Sequence, residues 1–517
     1  MQVPQSTAPS LPVPEKLSRE NFLVIALLLV SASVVILNET TMGVALPHLM
    51  EEMGITASTG QWLTTAFMLT MAVVIPATGF LLQRLGTRGA FLLAMSLFSL
   101  GTALAAFAPG FGWLLGARVV QASGTAIMMP LLMTTIMTLV PPTARGRIMG
   151  NVAIVMAAAP ALGPTLSGLV LEALSWRWIF GLVLPIALVA LAFGARYVKD
   201  SADRTHTRLD PLSLFLAVLA FGGLVFGLSN LGEAARATPA VPVWIPLVVG
   251  PVALALFVAR QLTLQRRDAA LLDLRVFSSR GFTVSLGIMA VAMIALFGSI
   301  ILLPLYLQTS LGLEPVLTGL LMLPGGLIMG LLGPTVGRLY DRIGPRPLVL
   351  PGLSAVALSL AALATVGAAT SPWFVLGAHV VLSLGLAFVF TPLFTGALSA
   401  LRPSLYSHGS AMIGTVQQLA GAAGTALFIA VMTSREVARA AEGATPQVAL
   451  ADGVSSAFVW GAVVMGVAVG LSLLLRRPPV VEAPTVLSDD AVLSDDAAPL
   501  DQDARVLETA GEPTERR

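Results

Sequence analysis

The sequence predicts an all-α protein that crosses a membrane many times. Of its 517 residues, 56% are hydrophobic and only 11% are charged, whereas soluble domains carry about 25% charged residues. Apolar stretches long enough to cross a bilayer as a helix, about 20 residues each, recur along nearly the whole chain. These observations override the several soluble domains that the length alone would suggest.

We predict about fourteen membrane spans. Their approximate limits are 22–47, 60–82, 89–108, 112–139, 148–173, 177–198, 210–231, 241–264, 282–308, 316–338, 347–368, 373–400, 407–433 and 454–475. Most of the 29 Lys and Arg residues lie in alternate connections. The positive-inside rule then predicts that both termini are cytoplasmic in a multi-pass protein of the cell membrane.

Two basic connections, after the sixth and eighth spans, divide the chain. The predicted order is a cytoplasmic N-terminal tail (1–21), a six-helix bundle (22–198), a linker with two extra spans (199–280), a second six-helix bundle (281–477) and a disordered acidic tail (478–517). The segment GFLLQRLGTR after span 2 is similar to GRLYDRIGPR after span 10. This weak repeat is typical of parallel halves.

The fifth span is rich in prolines and small residues. A proline inside a helix costs roughly 3 kcal/mol, and this span has Pro160 and Pro164. In a bilayer, small residues allow helix backbones to approach closely. The pattern has two interpretations, either ordinary helix packing or a bendable, tightly packed seam.

The repeated loop motif combines glycines, which permit a tight turn, with charges at helix ends. The first copy contains Gly79, Arg84, Gly86 and Arg88, and the second contains Gly337, Asp341, Arg342, Gly344 and Arg346. Gln83 stands where the second copy has Asp341, so the first copy cannot form the same charge-assisted pair. The motif is either a cytoplasmic latch or a topological signal that keeps the loop inside.

Several polar residues lie within the spans. Arg118 and Gln121 share a face of span 4, and an arginine at membrane depth must face protein or water. Asn38 and Glu39 lie near the end of span 1, with Gln308 and Gln417 in later spans. Aromatic residues near span ends are Trp62, Phe67, Phe111, Trp113, Trp176 and Trp178, and most of them are predicted to form an interfacial belt.

Together these motifs resemble those of the major facilitator superfamily, in particular its fourteen-span drug:proton antiporter branch. The fifth span is similar to the antiporter motif through Gly150, Gly163, Pro164 and Gly168, while the small residues Ala159 and Ser167 stand where the family has glycines. The resemblance implies the major facilitator fold, and it implies a part in proton coupling for Arg118. In the branch's first-helix motif an aspartate stands where this chain has Asn38, and the acid is displaced to Glu39. Glu39 is therefore either a proton site or an interfacial glutamate, and Arg118 has the alternative of a purely structural role.

The resemblance implies proton-coupled efflux of amphipathic small molecules or drugs by alternating access, with Asn38, Gln121, Gln308 and Gln417 in the substrate cavity. Export of lipids or of a self-made metabolite, and uptake by a permease of the same fold, are the alternatives. A membrane-embedded enzyme is disfavoured because the histidines are dispersed and there is no HExxH or GxSxG motif. We expect no catalytic residue, metal or cofactor, a proton gradient as driving force, no nucleic-acid partner, and a monomer in the lipid bilayer.

Overall fold

The computed structural model describes residues 18–200, 209–234 and 241–475. Almost all of the predicted N-terminal tail and the whole of the predicted acidic tail lie outside these ranges. The predicted disorder of the acidic tail therefore stays a prediction.

Within the described residues the fold consists of helices that cross the membrane fourteen times. The crossing helices are α1 (Arg19–Met53), α2 and α3 (residues 57–85 and 87–106, the two parts of the continuous helix Ala57–Ala106), α4 (Phe111–Leu139), α5 (Arg145–Ala173), α6 (Arg177–Tyr197), α7 (Pro211–Ala217, Val218–Gly222 and Gly223–Ala234), α8 (Trp244–Leu264), α9 (Arg280–Leu305, extended by Tyr306–Ser310), α10 (Pro315–Ile343), α11 (Arg346–Leu363), α12 (Pro372–Ser399), α13 (Tyr406–Ala441) and α14 (Pro446–Ser472).

Twelve of the described helices are long and apolar enough to cross a membrane. One of them, Thr59–Ala106, has 48 residues and contains Gly86 with φ 71° and ψ 176°. A side chain would disfavour this φ, so the glycine lets the chain turn back and cross twice. α5 is not among the twelve, but its 29 residues are long enough to cross a membrane, and it completes the fourteen.

Local signals explain where several helices begin and end. The side chain of Ser18 accepts a hydrogen bond from the Asn21 backbone N–H at the start of α1, and Gly54 ends α1 at φ 61°. Asp210 caps α7 in the same way as Ser18, with Pro211 in the first turn. α1 runs past its predicted end at residue 47 to Met53, and α13 runs past residue 433 to Ala441.

α1–α6 and α9–α14 form two six-helix bundles, and the domain limits given above stay a prediction. The bundles meet where α5 packs on α10 and where α13 packs on α2 and α4. α7 packs on α2 and α13 from outside, and α8 packs on α7. We call the end of the molecule with residues 140–146, 265–279 and 344–346 the basic end.

Candidate coupling site and gate

Arg118 lies at the centre of a buried polar network between α1, α3 and α4. Its Nη1 donates to Gln121 Oε1 at 2.6 Å and to Asn38 Oδ1 at 3.5 Å. Gln121 Nε2 in turn donates to Thr102 Oγ1 at 2.8 Å. All four side chains are buried. An isolated charge buried between helices costs free energy because it loses its contact with water. The amide oxygens of Asn38 and Gln121 offset part of that cost by accepting hydrogen bonds from the Arg118 guanidinium.

An aromatic ring completes the surroundings of this arginine. The guanidinium carbon of Arg118 lies 4.1 Å from the centre of the Phe67 ring, a cation–π distance. Phe67 is only 2% exposed, and Trp176, another member of the predicted interfacial belt, is also buried. The belt prediction was made for most of the six aromatic residues, and these two buried side chains make other contacts: the Phe67 ring faces a buried cation, and the Trp176 Nε1 donates to Glu52 Oε2 at 2.8 Å.

Two donors of the network have no partner among the described residues. They are Arg118 Nε and Asn38 Nδ2, both buried. Buried donors without an acceptor are costly, so they favour an acceptor that arrives in another state of the protein. The site can therefore receive an oxygen acceptor beside Arg118.

Glu39 adjoins this network on α1 without being bonded to it. Its side chain is half-buried, and its charge interacts with that of Arg118. Within the described part of the chain it forms no ion pair within 4.0 Å and no hydrogen bond. The single-residue displacement explains this arrangement: Asn38 occupies the face of α1 toward Arg118, and the next residue is rotated by about 100°.

In its second half, α5 approaches α1 closely. A Cβ atom on Gly163 would collide with the Thr40 hydroxyl and lie 3.3 Å from the Leu37 carbonyl oxygen. The hydroxyl of Ser167 donates to the Thr41 carbonyl at 3.0 Å, and Ala159 is buried beside the same helix. This half of the antiporter motif therefore packs within its own bundle.

In its first half, α5 lies across the interface between the bundles. The backbone carbonyl of Gly333 on α10 occupies the space that a Cβ atom on Gly150 would need. Gly146 and Gly337 face one another in the same way. By contrast, no atom lies within 4 Å of the Cβ position of Gly168, so that glycine is not at a close approach. The side chain of Pro164 lies outside the described part.

The carboxylate of Asp341 bridges the two bundles at the basic end. It accepts hydrogen bonds from the backbone N–H groups of Gly146 at 2.8 Å and Arg147 at 3.0 Å. These groups belong to the first turn of α5, where the helix dipole and the unpaired N–H groups favour an anion. Asp341 thus contacts backbone N–H groups at the start of a helix, whereas the latch prediction had an arginine pair with this carboxylate or with carbonyls at a helix C-terminus.

The first copy of the motif makes a different contact with the other bundle. Gln83 Nε2 donates to the Ser404 carbonyl at 2.9 Å, just before α13 begins. Arg88 stays within its own bundle, where its Nη2 donates to the Ala195 carbonyl at 2.8 Å. Gly86 and Gly344 provide the two turns, at φ 71° and 82°.

The remaining polar residues are spread over the molecule. Arg84, Arg342 and Arg346 are exposed at the basic end, Gln308 is exposed on the final turn of α9, and Gln417 is half-buried on α13. The structure therefore brings Asn38 and Gln121 together at Arg118, and it places Gln308 and Gln417 elsewhere.

Contacts between the two bundles close the basic end, and we call this closed end the gate. Among the described residues, the hydrogen bonds between the bundles reach from Gln83 and Asp341 at this end to Gln418, whose Nε2 lies 3.9 Å from Met71 Sδ. Thr134 and Ser410 hydroxyls lie 3.0 Å apart between these limits. In the described part, no hydrogen bond joins the bundles toward the opposite end.

Sequence reasoning missed three contributors to this region. They are Phe67, Thr102 and Gly333. A face analysis of α2 relative to Arg118 could have identified Phe67. Thr102 is only 19 residues from its partner Gln121, on the preceding helix, whereas the contact of Gly333 with Gly150 joins helices far apart in the chain.

The chain was compared with known proteins. Residues 28–425 match the family model described as Major Facilitator Superfamily. Lincomycin resistance protein LmrB of Listeria monocytogenes is 40% identical over 459 residues, which is 88% of this chain and 96% of that protein. A multidrug resistance protein B homolog of Mycobacterium tuberculosis is 33% identical over 397 residues, 76% of this chain and 73% of that protein.

A solved structure supports the fold alone. The human organic anion transporter MFSD10 (TETRAN) matches with a TM-score of 0.62 at 16% identity, covering 88% of this chain and all of that one. The family match, the relatives and the arrangement of fourteen crossing helices agree with one another. The chain therefore belongs to the Major Facilitator Superfamily and is a multi-pass membrane protein.

Proposed function

We propose that this protein is a proton-coupled antiporter that exports amphipathic small molecules by alternating access, with its basic end and both termini in the cytoplasm. The observation that carries the proposal is the position of a half-buried acid, Glu39, next to Asn38 of the buried Arg118 network inside a membrane span. The names of the relatives, lincomycin resistance and multidrug resistance, support a drug as cargo.

The coupling step uses the unpaired donors of the network. When Glu39 is ionised, its carboxylate is attracted by Arg118 and can accept hydrogen bonds from Arg118 Nε and Asn38 Nδ2. Protonation removes the charge and releases the side chain from these donors. Binding and release of one proton thereby changes how tightly α1 is held to α4, and α1 also packs on the gate helix α5.

The closed basic end corresponds in this proposal to an outward-facing conformation. The glycine contacts between α5 and α10 hold that end shut. Transport requires these contacts to break while the opposite ends of the helices come together. A proton gradient drives the cycle, and neither an enzymatic step, a metal nor a further cofactor is part of it. The protein acts as a monomer in the bilayer.

The proposal is tested with transport measured in everted membrane vesicles from an efflux-deficient host. We expect the wild type to accumulate lincomycin or another drug from a susceptibility panel when the vesicle interior is acidic. Glu39→Gln should abolish this accumulation, while binding of a neutral drug to the purified variant stays within about threefold of the wild type. Asn38→Asp should be tolerated, because an acid at this position can still pair with Arg118.

Proton release on addition of drug to purified protein provides the direct readout. Unchanged release by Glu39→Gln would move the coupling site to Arg118 and its neighbours. Accumulation in right-side-out vesicles alone would show an uptake permease. Transport of labelled lipid without any change in drug susceptibility would show lipid as the cargo.

A further inference from the structure

The connection between α8 and α9 is buried in an unusual way. Residues 265–279, which we call the α8–α9 strap, link the extra helix pair to the second bundle. Loops at the end of a bundle are ordinarily exposed, but Leu271, Leu272 and Asp273 are each at most 3% exposed. The strap therefore packs as part of the core.

Three consecutive backbone N–H groups of the strap are bound by side chains from two different helices. Gln261 on α8 accepts from the N–H groups of Leu271 at 2.8 Å and Leu272 at 3.3 Å. The next N–H group, that of Asp273, donates to His408 Nδ1 on α13 at 3.3 Å. Because buried N–H groups need acceptors, both side chains determine the path of the strap.

The extra helix pair holds Gln261 in place. Gln261 Nε2 donates to Ser213 Oγ on α7 at 2.8 Å. Ser213 Oγ donates to Asp210 at 2.7 Å, and Arg260 donates two hydrogen bonds of 3.0 Å to the two oxygens of the same carboxylate. One connected network therefore runs from the ends of α7 and α8 to the strap.

His408 lies between the strap and the closed gate. A Cβ atom on Gly79 of α2 would be 2.7 Å from His408 Nδ1 and 3.0 Å from its Cα atom. The imidazole is buried where α2 and α13 meet. The donor from Asp273 fixes the orientation of the ring that fits against the glycine. Without that donor a buried Nδ1 would be unpaired, and the ring would favour a different orientation.

We propose that the strap braces the closed gate, so that the extra helices α7 and α8 stabilise the closed basic end through the positioning residues Gln261 and His408. The brace acts on the equilibrium between gate states and not on substrate or proton binding. Loss of the two hydrogen bonds to Gln261 should raise the open fraction of the basic end about tenfold.

The chain contains no cysteine, so one introduced thiol reports on the gate. Ser410→Cys replaces a buried hydroxyl that faces Thr134 of the other bundle. In this background we compare the rate of maleimide labelling for Gln261→Leu, His408→Leu and His408→Asn. Asn230→Leu is the matched control, since among the described residues Asn230 on α7 bonds only to the Phe226 carbonyl of its own helix.

Gln261→Leu and His408→Leu should label about tenfold faster than the parent. His408→Asn retains an acceptor near the Nδ1 position and should label at close to the parent rate, as should Asn230→Leu. Parent-like labelling of folded Gln261→Leu would overturn the proposal, and so would equal acceleration by Asn230→Leu or by His408→Asn. If Gln261→Leu does not accumulate as a monodisperse protein, the comparison between the two His408 variants decides the question.

Discussion

The bridge from Asp341 to the first turn of α5 makes a quantitative prediction for Asp341→Asn. The carboxylate accepts two backbone hydrogen bonds, from Gly146 and Arg147, across the interface between the bundles. An asparagine keeps one acceptor oxygen and replaces the other with an amino group that cannot accept. The variant therefore loses one hydrogen bond and the negative charge, with almost no change in side-chain volume.

The magnitude follows from these two losses. A hydrogen bond to a charged group contributes about 1.5–3 kcal/mol and a neutral one about 0.5–1.5 kcal/mol, while an anion at a helix N-terminus contributes about 0.3–1 kcal/mol when exposed. Asp341 is half-buried, so we take about 2 kcal/mol for the sum. This shifts the equilibrium between closed and open basic ends about 30-fold toward the open state.

Pulsed electron–electron spin resonance measures this shift directly. Cysteines at Thr138 on α4 and Ile343 at the end of α10 occupy exposed positions on opposite bundles at the basic end. We expect the longer distance to gain population in Asp341→Asn. The matched control is Gln83→Ala, which removes one neutral hydrogen bond to the Ser404 carbonyl and should shift the equilibrium by about two- to tenfold, less than Asp341→Asn.

Equal shifts for the two variants would refute the reasoning, because the negative charge at the start of α5 would then contribute nothing. An unchanged distance distribution in Asp341→Asn, with Gln83→Ala also unchanged, would show that the glycine contacts alone close the gate.

Three further predictions concern other parts of the molecule. Gly163→Leu should reach the membrane but lose transport, because the leucine side chain collides with Thr40. Gly168→Leu should transport normally in the same vesicle assay, since nothing lies within 4 Å of the Cβ position of Gly168. Equal transport by the two variants would contradict the packing argument. Arg118→Lys should fold but lose drug-induced proton release. A planar guanidinium donates hydrogen bonds to Gln121 while it stacks on the Phe67 ring, and an ammonium group cannot do both. Normal proton release by the variant would show that the positive charge alone is sufficient. The hydrogen bonds from Arg260 lower the pKa of Asp210 from 3.8 to about 2, so this carboxylate contributes stability above about pH 4 that is lost as the pH falls toward 2. The melting temperature of Asp210→Asn should therefore lie below that of the wild type at pH 7, and the difference between the two melting temperatures should narrow with acidification. A difference that does not change with pH would argue against the ion pair.

The number and order of the membrane crossings could be predicted from the sequence because each crossing is decided locally. A helix satisfies its own backbone hydrogen bonds, so an apolar stretch of sufficient length inserts whatever its neighbours are. Gly86 and Gly344 are predictable for a similar reason: the chain must turn there at positive φ, and the glycine alone permits it. Even α5, with its prolines and small residues, could be located by its length and flanking charges.

The contacts between helices could not be predicted in the same way. In a bilayer the lipid is as apolar as the protein core, so the pattern of hydrophobic residues does not show which face of a helix meets which neighbour. The position of Phe67 near a span end therefore groups it with the aromatic residues of the predicted belt, although its ring covers Arg118. Nor did the spacing show that Gly163 packs within its own bundle while Gly150 packs across to the other.

The sequence by itself thus determined that this chain is a fourteen-span membrane protein and which residues carry charge within its spans. Only the tertiary structure decided that Asn38, and not Glu39, bonds to Arg118, because one residue along α1 rotates a side chain by about 100°. Only the tertiary structure, likewise, joined Asp341 to α5 and His408 to the α8–α9 strap. Each of these contacts links segments more than 70 residues apart, and their geometry depends on how whole helices pack together.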